Sequence, residues 1–382
     1  MLVFRTFLIA FLFAQQISCK HDIDAAKQVD DKLFISLPAT DSVLIVNPNK
    51  QVETARLKIG KLPHNIRKSA DGTRLYIALT GSQAIAEIDV INDQVIRTFL
   101  TDPVPMQDAD GNEIQAHIDQ QANTFKSCYE CHNGRVEGAK PAIVGSRPFG
   151  IALTSNNQLL VANTQTASVN YIDLETAHII KSLQILPSGD AREPTELAIM
   201  GDRLFVTVRP VLPSSSPAEL RAYDIESGAL LAQTNVGSAV TALHTDLKNN
   251  VIYTTNFESN TLEKFGADLQ ILKQYIVGNG PFGLNQNRAH LLVANYYNNS
   301  VSKIELTNNN IYTQSLQFET QHFANPTHIT RSFDEEKLYV ISGGTNGYLL
   351  TLEATTLSVT NSMKIDGLPF DVINTNTHPD QG

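Results

Sequence analysis

The residues best suited to chemistry stand in one short run, Cys128-Tyr129-Glu130-Cys131-His132. Two thiols three positions apart on a helical turn can reach both vinyl groups of a porphyrin and form thioethers. The adjacent imidazole then lies under the iron as its proximal ligand. This C-x-x-C-H spacing predicts one covalently attached haem c. The chain has only 3 cysteines, so this run uses all but Cys19. The same residues admit plainer readings. One is a vicinal dithiol or disulfide beside a surface histidine; another is a zinc site, which would want more Cys or His nearby. A thioredoxin-like pair would need a βαβ setting that the surrounding sequence lacks.

Spacing does not fix a sixth iron ligand. Met106, His117, His64 and His328 are the candidates. A thioether from Met106 would raise the reduction potential and suit electron transfer. Each candidate has a structural alternative. Met106 could be a hydrophobic plug, His117 part of a solvated helix face, and His64 and His328 polar caps on a channel. An open or water-filled position would favour catalysis instead. Residues 108–113 (DADGNE) resemble the start of a calcium loop but lack the later ligands, so a polar turn is expected. No nucleophile–His–acid arrangement, phosphate loop or dinucleotide fingerprint is recognisable.

What must position these residues is a repeat. A short apolar strand recurs at 32–38 (KLFISLP), 74–80 (RLYIALT), 158–164 (QLLVANT), 203–209 (RLFVTVR), 251–257 (VIYTTNF), 290–296 (HLLVANY) and 337–343 (KLYVISG). About ten residues later comes a second strand, such as AIAEIDV from Ala84 or SVNYIDL from Ser168, and then a third, such as QVIRTFL from Gln94. Ahead of every copy but the first stands an inner strand: LPHNI from Leu62, RPFGI from Arg147, EPTEL from Glu193, AVTAL from Ala239, GPFGL from Gly280 and NPTHI from Asn325. A seventh, LPFDV from Leu368, has no blade after it, so 368–375 is expected to complete the first blade and close the ring. Four strands per repeat, a pitch of about 40 to 48 residues and seven copies predict an all-β, seven-bladed β-propeller over 32–375. Helical repeats are excluded by the β-branched, alternating pattern.

The repeat resembles the YVTN family of propellers. LLVANT at 159–164 and LLVANY at 291–296 are close variants of its second-strand motif, and 147–176 follows the family repeat almost throughout. The resemblance covers roughly 32–375. It implies the fold and says little about function.

One connection breaks the rhythm. Residues 102–145 join blades 2 and 3 without a strand pattern, and they hold the C-x-x-C-H run. Long insertions in compact repeats are usually functional. Residues 113–126 (EIQAHIDQQANTFK) are expected to form a polar helix leading into the run. A complete small cytochrome c needs about twice this length, so the haem is expected to lean on the propeller. The insertion links an outer strand to the next inner strand, which places it on the face where inner strands begin. That face gathers His64, Phe149, Glu196, Phe282, His328, Phe370 and Asp371 around the channel mouth, with Tyr296, Tyr297 and the Pro-rich loop 209–218 beside them. Glu196, Asp371, His64 and His328 could surround a metal there, or simply line a wet channel with hydrogen-bonded groups.

The N-terminus reads as an export signal over 1–19. Arg5 precedes the unbroken apolar stretch 7–14 (FLIAFLFA), which is too short to span a bilayer and turns polar at once. Cys19 stands where a bacterial lipoprotein cysteine would, although Gln16 occupies a position usually held by Leu. Lipidation and a plain signal cut both remain open. Residues 20–31 would then form a polar tether, and 376–382 a tail. A net charge of −10 argues against a nucleic-acid surface, which needs a basic footprint.

Three functions follow as expectations. The first is electron transfer outside the cytoplasm, with the propeller face docking a redox partner protein and the membrane touched only through a lipid anchor. The second is a haem-dependent oxidase or peroxidase-like enzyme. The stretch from Ser127 through Cys128, Cys131 and His132 to Gly134 and Arg135 resembles the haem segment of propellers fused to di-haem peroxidases. The second haem motif of that domain is missing here, which weakens this reading. The third is a non-redox binding module.

Overall fold

The structure is a computed structural model that describes residues 30–101 and 147–376, apart from 188, 212–217, 288 and 345. Between the two stretches it describes only the backbone of Met106–Gln107 and Glu113–Ile114. The chain forms seven four-stranded antiparallel sheets arranged as a seven-bladed propeller. Blade 2 shows the pattern: Pro63–Lys68 is innermost, followed by Arg74–Leu79, Ala84–Asp89 and the outer Gln94–Leu100. Blades 3 to 7 repeat this order, with inner strands Pro148–Leu153, Arg192–Met200, Val240–Asp246, Pro281–Gln286 and Pro326–Arg331.

Sequence pattern explains the layering. Leu33–Leu37 and Ser42–Val46 are buried at every position, because blades cover both of their faces. Such strands read as continuous apolar runs. His178–Gln184 alternates between exposed and half-buried, because only one face of an outer strand meets a neighbour. The core is accordingly divided into seven clusters, each across one blade boundary. Phe34, Val43 and Ile45 of blade 1 pack on Ile66, Leu75 and Ile77 of blade 2, and the last cluster joins Tyr339 and Ile341 of blade 7 to Leu33 and Ile35 of blade 1.

The ring closes as the sequence predicts. Val372–Asn374 pairs with Leu33–Leu37 in the register Leu33↔Asn374, Phe34↔Ile373 and Ile35↔Val372. Two more bonds extend the seam, from Phe370 N to Ser36 O and from Ser36 N to Asp371 O, both 3.0 Å. Asp31 locks it from the other face. Its buried carboxylate accepts from Tyr339 Oη at 2.7 Å, Asn374 Nδ2 at 2.6 Å and Phe333 N at 2.9 Å.

One expectation needs correction. The polar helix expected over 113–126 does not begin at Glu113, and residues 115–126 lie outside the described residues. Glu113–Ile114 is strand and pairs with Met106–Gln107. The sequence between the two strands, DADGN, has the composition of a hairpin turn. Among the described residues the one helical element is the 3-10 turn Pro38–Thr40. A small hairpin, Gln317–Phe318 with Gln321–His322, also decorates the link between blades 6 and 7.

Asp31→Ala should leave the Tyr339 hydroxyl and the Asn374 amide buried without their acceptor, at a cost of about 2–4 kcal/mol. Urea unfolding measures it, and the slope should stay unchanged because the ring still forms.

Candidate functional site

The C-x-x-C-H cysteines Cys128 and Cys131 lie outside the described residues, as do His132, His117, Cys19 and the side chain of Met106. The structure does describe both roots of the insertion. Thr101 is fully buried, and its carbonyl accepts from Asn163 Nδ2 at 3.3 Å and Asn170 Nδ2 at 2.6 Å. Its amide and hydroxyl both donate to the Gln83 carbonyl at 3.1 Å. On return, the Arg147 carbonyl accepts from the amide and hydroxyl of Thr164, each at 3.1 Å. Both roots are therefore tied to one corner of blade 3, between Asn163 and Asn170. The insertion leaves and rejoins the ring at a fixed place.

That place is the rim of the channel mouth. In six inner strands the register shifts near the start, for example between Pro63 and Ile66, Pro148 and Ile151, and Pro326 and Ile329. Such a bulge leaves residues outside the ladder and re-aims their side chains. These are the residues the sequence placed at the mouth: His64, Phe149, Glu196, Phe282 and His328. Two glycines make the crowding possible. A Cβ on Gly150 would stand 2.0 Å from the Thr195 carbonyl, and one on Gly283 would stand 2.3 Å from that of Thr327.

Phe370 plugs the mouth. Its ring centroid lies 4.5 Å from His64, 6.0 Å from Phe149, 5.5 Å from His328 and 6.1 Å from Phe282, so it touches four other blades at once. Phe282 continues the aromatic surface to Phe257 at 6.0 Å, and Phe257 to Tyr297 at 4.8 Å. Tyr297 is 64% exposed. The rim facing blades 2 to 4 differs. There His64, Thr80, Arg147, Phe149, Thr164, Glu193 and Arg209 close around a recess too narrow for a water molecule. Arg209 donates to Glu193 through Nε at 2.9 Å and Nη2 at 2.7 Å, and its guanidinium sits 5.7 Å from the Phe149 ring.

Beneath the plug lies a polar layer. Asn65 Nδ2 donates to both Glu196 oxygens, at 3.1 and 3.0 Å. Arg67 spans the channel and reaches Glu196 at 3.7 Å and Asp371 at 3.8 Å. His328 stands 3.9 Å from Asp371. Asp371 also accepts from Ile66 N at 2.8 Å, binding blade 1 to blade 2. The structure thus joins Glu196, Asp371 and His328 through one polar network but sets His64 among aromatic rings. Among the described residues, no group of three or more His, Cys, Asp or Glu could hold a metal ion. Arg67 was missed by sequence reasoning. The signal was there: other repeats carry Ala152, Ala198, Asn285 or Thr330 at the corresponding position, so an arginine there needs a partner across the axis.

Burial sets the protonation of these groups. His64 is pushed down to about 4 by burial, opposed by the Leu62 carbonyl and reinforced by the Arg147 and Arg209 charges. His244, deeper in the channel, is pushed to about 4 by burial, against the pull of Asp246. Burial raises the Glu196 carboxyl, and Arg67 and Asn65 restrain the rise.

Both histidines are neutral in the folded state, with folded pKa values below the unfolded 6.5. The unfolded chain therefore takes up their protons first as pH falls, and stability drops between pH 6.5 and 4, by about 3 kcal/mol per histidine at the lower end. Glu196, shifted upward, works in the opposite direction at acid pH. His64→Phe should lose less stability than the parent between pH 7 and 5 in urea unfolding. An equal loss would remove His64 from the acid response.

No protein-family model matches the chain, and neither does any curated protein sequence. Solved structures match in fold. Kuenenia stuttgartiensis hydrazine synthase aligns over 88% of this chain and 93% of its own, with a TM-score of 0.59 and 14% identity. The dihydro-heme d1 dehydrogenase NirN, in complex with DHE, aligns over 90% of this chain and 75% of its own, with a TM-score of 0.55 and 11% identity. At these identities the likeness is one of propeller architecture.

Proposed function

We propose that this chain is an exported c-type haem propeller that transfers electrons, with Cys128 and Cys131 forming the thioethers and His132 the proximal ligand. One observation carries the reading. The C-x-x-C-H run stands in the long insertion whose two roots, Thr101 and Arg147, are pinned beside an aromatic channel mouth. The donor set fits the group: two thiols at thioether spacing and one imidazole. When bound, the haem would supply a one-electron couple. The protein's part is to hold the iron through His132, exclude water with the Phe370 plug, and offer the exposed rim around Tyr297 to a redox partner. The fold shared with a haem d1 dehydrogenase and the YVTN-like repeat support a haem-associated propeller. Thioether attachment is made outside the cytoplasm, which accords with an export signal over 1–19 and with anchoring through Cys19.

Export with the haem-attachment machinery should yield a chain heavier by one haem, with a c-type pyridine haemochrome. Cys128→Ala or Cys131→Ala should lose one thioether each, and His132→Ala should lose the native iron spectrum. A six-coordinate iron that is slow with peroxide would fit transfer. An unmodified mass, or Cys128 disulfide-bonded to Cys131, would end the haem assignment. Met106→Ala and His64→Ala, compared by absorption spectrum, decide which of these supplies the sixth ligand.

A further inference from the structure

The rim of blades 5 and 6 carries an exposed ring that the repeat does not ask for. Tyr297 is 64% exposed, more than any other aromatic side chain among the described residues. It directly follows the second strand of blade 6 and its extension. The equivalent positions in the other blades hold Ala39, Gly81, Gln165, Pro210, Glu258 and Gly344. The Tyr297 ring rests on Phe257 at 4.8 Å and on Tyr296 at 5.4 Å, and Phe282 stands 6.0 Å from both of those rings. Its backbone is clasped as well. Tyr297 N and Asn298 N each donate to the Asn279 carbonyl at 3.1 Å, and Asn279 N donates to Asn298 Oδ1 at 3.4 Å. The ring is therefore held in place with one side open to water, as at a contact surface.

Amides surround the rings. Asn260 Oδ1 accepts from Gly280 N, and Asn299 Oδ1 accepts from Asn325 N, both at 2.9 Å. Each carbonyl is turned to the backbone, so the Nδ2 groups of Asn260, Asn298 and Asn299 point the other way as donors. Asn279 is exposed beside them. Backbone conformation accounts for Asn260, Asn299 and Asn325, which stand at positive φ, but not for Asn279 and Asn298. Across 257–260, 279–280, 296–299, 325 and 343–344, Glu258 is the one charged residue. An anion finds no counter-charge here. A neutral ligand with an apolar face and hydroxyls along its edge matches the rings and the amides together.

We propose that the Tyr297 rim binds a neutral saccharide, with the C–H face of one pyranose ring stacked on Tyr297 and its hydroxyls bonded to the amides of Asn279, Asn298 and Asn299. A pyranose with equatorial hydroxyls has an apolar face of C–H groups, and stacking removes that face and the Tyr297 ring from water. Each hydroxyl exchanges a water for an amide at small net gain, so the ring sets the affinity and the amides set the orientation. The proposal goes beyond the haem reading and uses no residue of the insertion. A saccharide on this rim would exclude a redox partner from it.

The full chain is titrated with cellotriose, whose ring hydroxyls are equatorial, by calorimetry and by saturation-transfer NMR. Binding should be detectable at millimolar sugar, with transfer strongest to the ring C–H protons. Tyr297→Gln places on blade 6 the residue that blade 3 carries at this position, Gln165, so the turn should tolerate it. It should weaken binding on the order of tenfold. Tyr297→Phe should bind as the parent does, and Asn298→Ala should weaken binding severalfold. Should Tyr297→Gln melt well below the parent, the Asn298→Ala and Tyr297→Phe pair carries the test. No transfer to cellotriose, or equal binding by Tyr297→Gln and the parent, would overturn the site. So would tight binding of tetramethylammonium in place of the sugar, which would mark the rings and Glu258 as a cation site. C128A/C131A should bind cellotriose unchanged, and a loss there would move binding to the insertion and end the proposal. A chain that binds cellotriose in this pattern yet shows no haemochrome keeps the saccharide site and loses the haem assignment. A haemochrome without saccharide binding does the reverse.

Discussion

The constraint behind everything else is that a sheet apolar on both faces must be covered on both faces. Strands such as Leu33–Leu37 have no solvent side at all. A row of stacked blades would leave two raw surfaces, and a ring leaves none. Closure therefore matters more than any single contact. It depends on a short seam, in which Val372–Asn374 is zipped to Leu33–Leu37 and Asp31 ties Tyr339, Phe333 and Asn374 together beneath it. The inner strands then meet around the axis, each in contact with the next.

The mouth is a consequence of that packing. Inner strands crowd where they begin, so they carry bulges, and the bulged residues aim at the axis. Glycines at 150 and 283 make room for the neighbouring backbone. The absence of a side chain at Gly150 also lets Asn65 of blade 2 reach Glu196 of blade 4. Packing and chemistry therefore share the same few positions. A layer of aromatic rings closes the channel, and a layer of paired charges sits beneath it.

The insertion uses this arrangement. Asn163 and Asn170 converge on the Thr101 carbonyl, and Thr164 holds the Arg147 carbonyl. The ring thereby presents a long connection at a defined point on a defined face.

The sequence by itself determined the repeat, its number, the strand order and the closing strand, because burial on two faces writes an apolar signature into the two middle strands of each blade. It also shows the C-x-x-C-H run, since that spacing is local. The pairing of Met106–Gln107 with Glu113–Ile114 ran against a helix that begins at Glu113. Only the tertiary structure decided which mouth residues meet. Phe370 and His64 are far apart in the chain, yet their rings touch, and Arg67 finds Glu196 and Asp371 across the axis. Such pairs depend on how seven sheets close around a common centre, and no local pattern encodes a distance across a ring.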